Sequence, residues 1–145
     1  MENNKHISVY LKNDISELTK LGVAITHFCQ STLLEGDVRY HLNLVCEEIF
    51  VNNLLHGKMS VEQEGLTIEM SLKEKELLLV LSDAGKEFDP LAVVDPNISG
   101  ELIDREMGGV GIYLIRKWAD EIGYQRTGDK NVLTIIKKLV TAVHP

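Results

Sequence analysis

The chain of 145 residues carries a formal net charge of −7, with 44% hydrophobic and 26% charged residues, proportions expected of one soluble globular domain. It has no basic run, which makes a nucleic-acid backbone a poor partner, and its longest apolar run, Leu77 to Leu81, falls far short of a membrane span. The start, MENNKHISVYLKN, lacks the basic-then-apolar order of a signal peptide, so a cytoplasmic location without membrane attachment is expected.

Residues 6 to 12, HISVYLK, alternate Ile7, Val9 and Leu11 with polar neighbours, the period of a half-buried strand. Asn13 or Asp14 then caps a helix whose apolar positions Ile15, Leu18, Leu21, Ile25, Phe28 and Leu33 recur at helical spacing, with a stop expected near Gly36. A second helix is predicted from Asp37 to Gly57. Cys29 and Cys46 both fall inside these helical patterns and read as small core residues, neither a disulfide framework nor a zinc site.

After a polar loop at 58 to 64, LTIEMSLK and LLLVLSD predict an antiparallel hairpin around Glu74-Lys75-Glu76. From Ala84 to Met107 the chain has no sustained period and carries Pro90, Pro96, Gly85 and Gly100, a long loop of the kind that serves as a lid or binding loop. A third helix from about Ile112 to Glu121 comes next, then the strands IGYQRT and VLTIIKKL around a Gly128-Asp129 turn. This order predicts an α+β two-layer sandwich, a mixed, mostly antiparallel sheet covered on one face by three helices.

The second helix raises a question of its own. At about 100° per residue, Val38, His41, Val45, Glu48, Ile49, Asn52, Leu55 and His56 share one broad stripe, which turns a carboxylate and an amide toward the interior. Glutamate is rarely buried without a partner, so Glu48 meets either a basic group from elsewhere in the fold or a bound ligand. His56, at the helix end, can simply cap carbonyls, and His41 reads as a core or supporting residue.

Two further stretches have ligand-binding character. DAGKEFDP at 83 to 90 leaves a strand through Asp-x-Gly, which is commonly just a turn. Gly108, Gly109 and Gly111 free the backbone for close approach just before a helix N-terminus, which suits a phosphate seat and equally suits a hinge for the loop. Neither a P-loop nor a strand–GxGxxG–helix fingerprint is present.

Taken together, E-x3-N-x3-H, D-x-G-x-x-F-D-P and G-G-x-G before a helix resemble the N, G1 and G2 boxes of the GHKL ATPase superfamily, whose Bergerat fold is the layered sandwich just described. Within it, EEIFVNNLLHG, LSDAGKEFDP and GGVGIYLIRKWADEIGY most resemble the anti-sigma-factor serine kinases of bacterial sporulation and stress control. The resemblance covers about residues 6 to 140 and implies one ATPase domain over 1–145 with an ATP lid at about 91–107.

It also implies roles. Glu48 would be the general base that orients the attacking hydroxyl, and Asn52 would place its amide oxygen on Mg²⁺. Asp83 would accept a hydrogen bond from the exocyclic amine of adenine, with Gly85 letting the backbone approach the ring. Gly108, Gly109 and Gly111 would hold the phosphates of ATP or ADP. The implied activity is transfer of phosphate to a serine of a small STAS-type antagonist protein, combined with sequestration of a sigma factor, and the implied assembly is a homodimer. The competing expectation is a binding switch of the same fold in which ATP only shapes a partner surface. A two-component histidine kinase would need a helix hairpin bearing the acceptor histidine, and a gyrase-like ATPase a transducing domain; neither is read in this sequence.

Overall fold

The structure, a computed structural model, describes residues 5–57, 61–92 and 109–139. Among them five strands form one sheet: β1 (Lys5–Leu11), β2 (Leu66–Lys73), β3 (Glu76–Asp83), β4 (Glu121–Thr127) and β5 (Lys130–Lys138). The spatial order is β1-β2-β3-β5-β4 and every pairing among them is antiparallel. Three α-helices accompany the sheet: α1 (Leu18–Thr32), α2 (Asp37–Gly57) and α3 (Gly109–Trp118). This is the α+β sandwich that the order of predicted elements requires.

Alternation explains the sheet. In β2, Leu66, Ile68, Met70 and Leu72 are buried and their neighbours are not; Leu77, Leu79 and Leu81 do the same in β3, and Leu133 and Ile135 in β5. The antiparallel registers bring these residues onto one face, which the helices cover. Tight two-residue connections hold the hairpins, Lys73 pairing with Glu76 and Thr127 with Lys130, and Gly128 supplies the positive φ, 63°, that the second turn requires. Where β1 passes the start of β2, a Cβ at Gly65 would lie 3.1 Å from the Lys12 Cα and closer still to the Leu11 carbonyl, so glycine is the residue that fits.

The helices depart from expectation at their ends. Asp14 does cap, accepting from the Ser16 N–H at 2.9 Å, but the turn it caps is a single 3-10 turn, Ile15–Glu17, which precedes α1 proper. The same N–H holds the Asp14 carboxyl below its ordinary value. α1 stops at Leu33, itself left-handed at φ 61°, ahead of Gly36. The Leu34 N–H closes that stop on the Cys29 carbonyl, so the turn is completed without glycine. α2 keeps its predicted bounds. α3 begins at Gly109 and ends at Trp118, because the Asp120 N–H and carboxylate bond to Ile136 and Lys138 of β5 and draw the chain into the sheet.

The face of α2 that enters the core is also rotated from the predicted stripe. Leu42, Cys46 and Phe50 are fully buried along with Val45 and Ile49, whereas Glu48 is half-buried and Leu55 is 53% exposed. The stripe Val38 to His56 is therefore the flank of the buried face: apolar side chains outweigh one carboxylate in deciding what lies deepest. The side chain of His56 lies outside the described residues.

Cys29 and Cys46 are buried and free, as read from the sequence. Burial pushes the Cys46 thiol up to about 12, with Glu47 adding to it, and burial raises Cys29 as well. Since the thiolate is the reacting species, a disulfide reagent at mildly alkaline pH is expected to modify neither thiol in the native protein and both after unfolding in guanidinium. Rapid labelling of Cys46 in the folded state would contradict its placement.

Candidate functional site

Between α2 and the β3–β5 end of the sheet lies a pocket with about 510 Å³ of empty space, its open mouth included. Ile49, Leu66, Leu81, Phe88, Pro90 and Leu133 form apolar walls, and Asn52, Asn53, Asp83, Lys86, Tyr124 and Asn131 supply polar groups. Apolar walls with a few fixed polar groups suit a flat heterocycle carrying a polar edge. Two predicted site residues from distant stretches, Asn52 and Asp83, thus line one cavity, and Asn52 is only 7% exposed there.

Asp83 ends β3 opposite Asn131 in the register. Its Oδ1 accepts from the Gly85 N–H at 2.8 Å and from Asn131 Nδ2 at 3.0 Å, and Oδ2 makes no hydrogen bond among the described residues. The Asp-x-Gly turn is therefore real, and it leaves one carboxylate oxygen of a pocket residue available as an acceptor. Gly85 sits in the turn, not on the pocket wall, and its carbonyl accepts from Arg126 at 2.8 Å.

Asn131 is one pocket residue that sequence reading missed. It is 7% exposed, and its amide makes four hydrogen bonds. Nδ2 donates to Asp83 and, at 2.9 Å, to the Lys86 carbonyl; Oδ1 accepts from the Phe88 N–H at 3.1 Å and from the Tyr124 hydroxyl at 2.5 Å. One amide at full capacity orients Asp83 and shapes the loop after it. Burial, reinforced by Glu87, pushes the Tyr124 phenol above its ordinary value, so it remains a protonated donor at neutral pH. The only trace in the sequence was a polar residue opening a strand that otherwise alternates cleanly.

Glu48 lies one helical turn before Asn52 on α2 and meets the start of α3. A methyl group on Gly111 would fall 2.7 Å from the Glu48 Cγ and closer to its carboxylate, so that side chain occupies the space a larger residue would need. Gly109 is the first residue of α3, while Gly108 lies outside the described residues. Most of the predicted lid, 93–107, lies outside them too; its beginning, a 3-10 turn at Pro90–Ala92, is pinned to α3 by Arg116 donating to the Leu91 carbonyl. His41 stands apart from the pocket, bonded to the Asp37 carbonyl at 2.7 Å and stacked on Trp118. Among the described residues no group of three His, Cys, Asp or Glu could hold a metal unaided, and no helix is long and apolar enough to cross a membrane.

The family model of the histidine kinase-like ATPase domain matches residues 11–137, from the end of β1 almost to the end of β5. The chain belongs to the histidine kinase-like ATPase family. One relative is the serine/threonine-protein kinase BtrW of Bordetella bronchiseptica, 26% identical over 98 residues, which make up 68% of this chain and 69% of that protein. A histidine kinase-like ATPase domain takes ATP and ADP, and the pocket has the mixed apolar and polar lining that a nucleoside base asks for.

The Asn131 amide gives this ATPase domain a test of its pocket. Asn131→Ala removes an acceptor from the Phe88 N–H and from the Tyr124 hydroxyl and a donor from Asp83, which should cost about 2 kcal/mol and lower Tm by roughly 4–8 °C. Thermal melting followed by circular dichroism checks it; an unchanged Tm would mean that the four bonds do not hold the loop.

Proposed function

We propose that this chain is an ATP-dependent serine protein kinase that acts as an anti-sigma factor and phosphorylates a small STAS-type antagonist protein. The observation that carries the kinase reading is the carboxylate of Glu48 held against Gly111 at the start of α3, one turn from the pocket residue Asn52. A carboxylate beside a helix N-terminus that can receive phosphates is where a base could orient a serine hydroxyl toward the γ-phosphoryl group. Similarity to BtrW, by name a serine/threonine-protein kinase, supports the same class of acceptor.

In this reading Asp83 accepts from the adenine amine through Oδ2, and Gly85 belongs to the turn that aims it. Gly108, Gly109 and Gly111 receive the phosphates on backbone N–H groups. Mg²⁺ takes a few protein oxygens and completes its shell with phosphates and water. The buried Asn52 amide fits that requirement as an oxygen donor on the pocket wall, and the ion would neutralise charge on the phosphates. Glu48 accepts the proton of the incoming serine as the Oγ–P bond forms and the bond to ADP breaks. The whole of 1–145 would act as one domain with a lid at about 91–107, in the cytoplasm and as a homodimer, with sigma factor and antagonist as protein partners.

ATP with Mg²⁺ binds the native state alone, so a hundredfold excess over Kd should stabilise the fold by about 2.7 kcal/mol. A melt that does not move in millimolar Mg-ATP would remove the nucleotide reading.

Glu48→Gln should leave Mg-ATP binding near normal and slow serine phosphorylation by about 10²–10⁴-fold. Gly111→Ala offers an independent check: alanine is favoured over glycine in a helix by about 1 kcal/mol, so the fold should hold while the methyl displaces the Glu48 carboxylate and transfer falls. Radiolabelled ATP with the partners recovered by pull-down provides the measurement. Transfer by Glu48→Gln at the wild-type rate would refute the assignment of the base. Mg-ATP binding without transfer to any co-purified protein, even by wild type, would favour a binding switch.

A further inference from the structure

The helical row on α2 that runs Leu42, Cys46, Ile49 places Asn53 next in line, half-buried where the buried face of the helix meets the pocket. An amide is out of character there. Its Nδ2 is buried with no hydrogen-bond partner among the described residues, a condition native structures avoid unless a ligand or water completes the bond. Asn53 also lines the same pocket as Asp83. The pocket thus offers an acceptor, Asp83 Oδ2, together with a buried donor that nothing among the described residues satisfies.

We infer that Asn53 is a specificity residue for the base, donating a hydrogen bond to the ring nitrogen, N1 or N7, that flanks the exocyclic amine of adenine. This rests on the reading of the pocket as the adenine seat. Adenine presents an amine donor beside a ring-nitrogen acceptor on either edge, the complement of an acceptor from Asp83 and a donor from Asn53. Asp83 alone would select an amine; the pair selects an amine with an acceptor beside it. A site built to satisfy a polar edge rejects analogues that leave its own buried groups unpaired, which gives the unsatisfied amide its function.

The test is calorimetric titration of ADP, 1-deaza-ADP and 7-deaza-ADP, each with Mg²⁺, into wild type, Asn53→Ala and Asn53→Leu. Wild type is expected to bind one of the two analogues about three- to tenfold more weakly than ADP, the value of one hydrogen bond. The variants are expected to lose a similar factor for ADP and to bind that analogue as well as they bind ADP, a coupling that a purely structural role for Asn53 would not produce. Equal wild-type affinity for ADP and both analogues would overturn the inference with no variant needed, as would variants that still discriminate by the wild-type factor. If wild type does not bind ADP at all, the base-pocket reading itself falls.

Discussion

The hydrogen bond from Asn131 to Asp83 is where the sheet becomes a site. These residues face each other across β3 and β5, strands far apart in sequence yet neighbours in the sheet. Register is the constraint behind it, for a slip of one residue would turn Asp83 and Asn131 to the other face and move Leu81 and Leu133 out of the core with them. Burial of the leucines therefore fixes the polar pair, and the polar pair fixes the loop beyond β3. The pocket inherits its shape from hydrophobic alternation several residues away.

α2 performs two tasks with two faces. Leu42, Cys46, Ile49 and Phe50 hold it to the core, while Asn52 and Glu48, about a third of a turn round, border the pocket and the start of α3 respectively. One rigid helix thus sets the distance between the residue proposed as base and the residue proposed for the metal. A loop could not hold two such groups so closely, since positional error of even an ångström is costly in transfer chemistry.

Much of this was legible in the sequence because it rests on local pattern. Strand alternation in LTIEMSLK and LLLVLSD, the Gly128 turn and both bounds of α2 come from rules that act over a few residues, and the structure has them. The cavity-lining positions of Asn52 and Asp83 were reached through family resemblance, not periodicity. The misreadings have a common physical cause. Where α1 and α3 end, and which side of α2 lies deepest, is decided by tertiary bonds: Leu34 to Cys29, Asp120 to β5, and apolar neighbours crowding Phe50. Asn131 was missed for the same reason, since an amide's value lies in its partners, and its partners come from three separate segments.

Gly111 links fold to chemistry most directly. A glycine inside a helix gives up about 1 kcal/mol relative to alanine, and α3 is a short helix that needs stability. Ile112 and Ile115 on the same helix are buried in the core, and the atoms nearest to where a methyl group at 111 would lie all belong to the Glu48 side chain. A local rule broken without structural gain marks a functional constraint. Arg116, further along α3, holds the Leu91 carbonyl where the expected lid begins, and Gly109 stands where it ends. The helix that leaves room for Glu48 therefore also holds Leu91, so a nucleotide phosphate seated at its N-terminus would meet the proposed base on one rigid element.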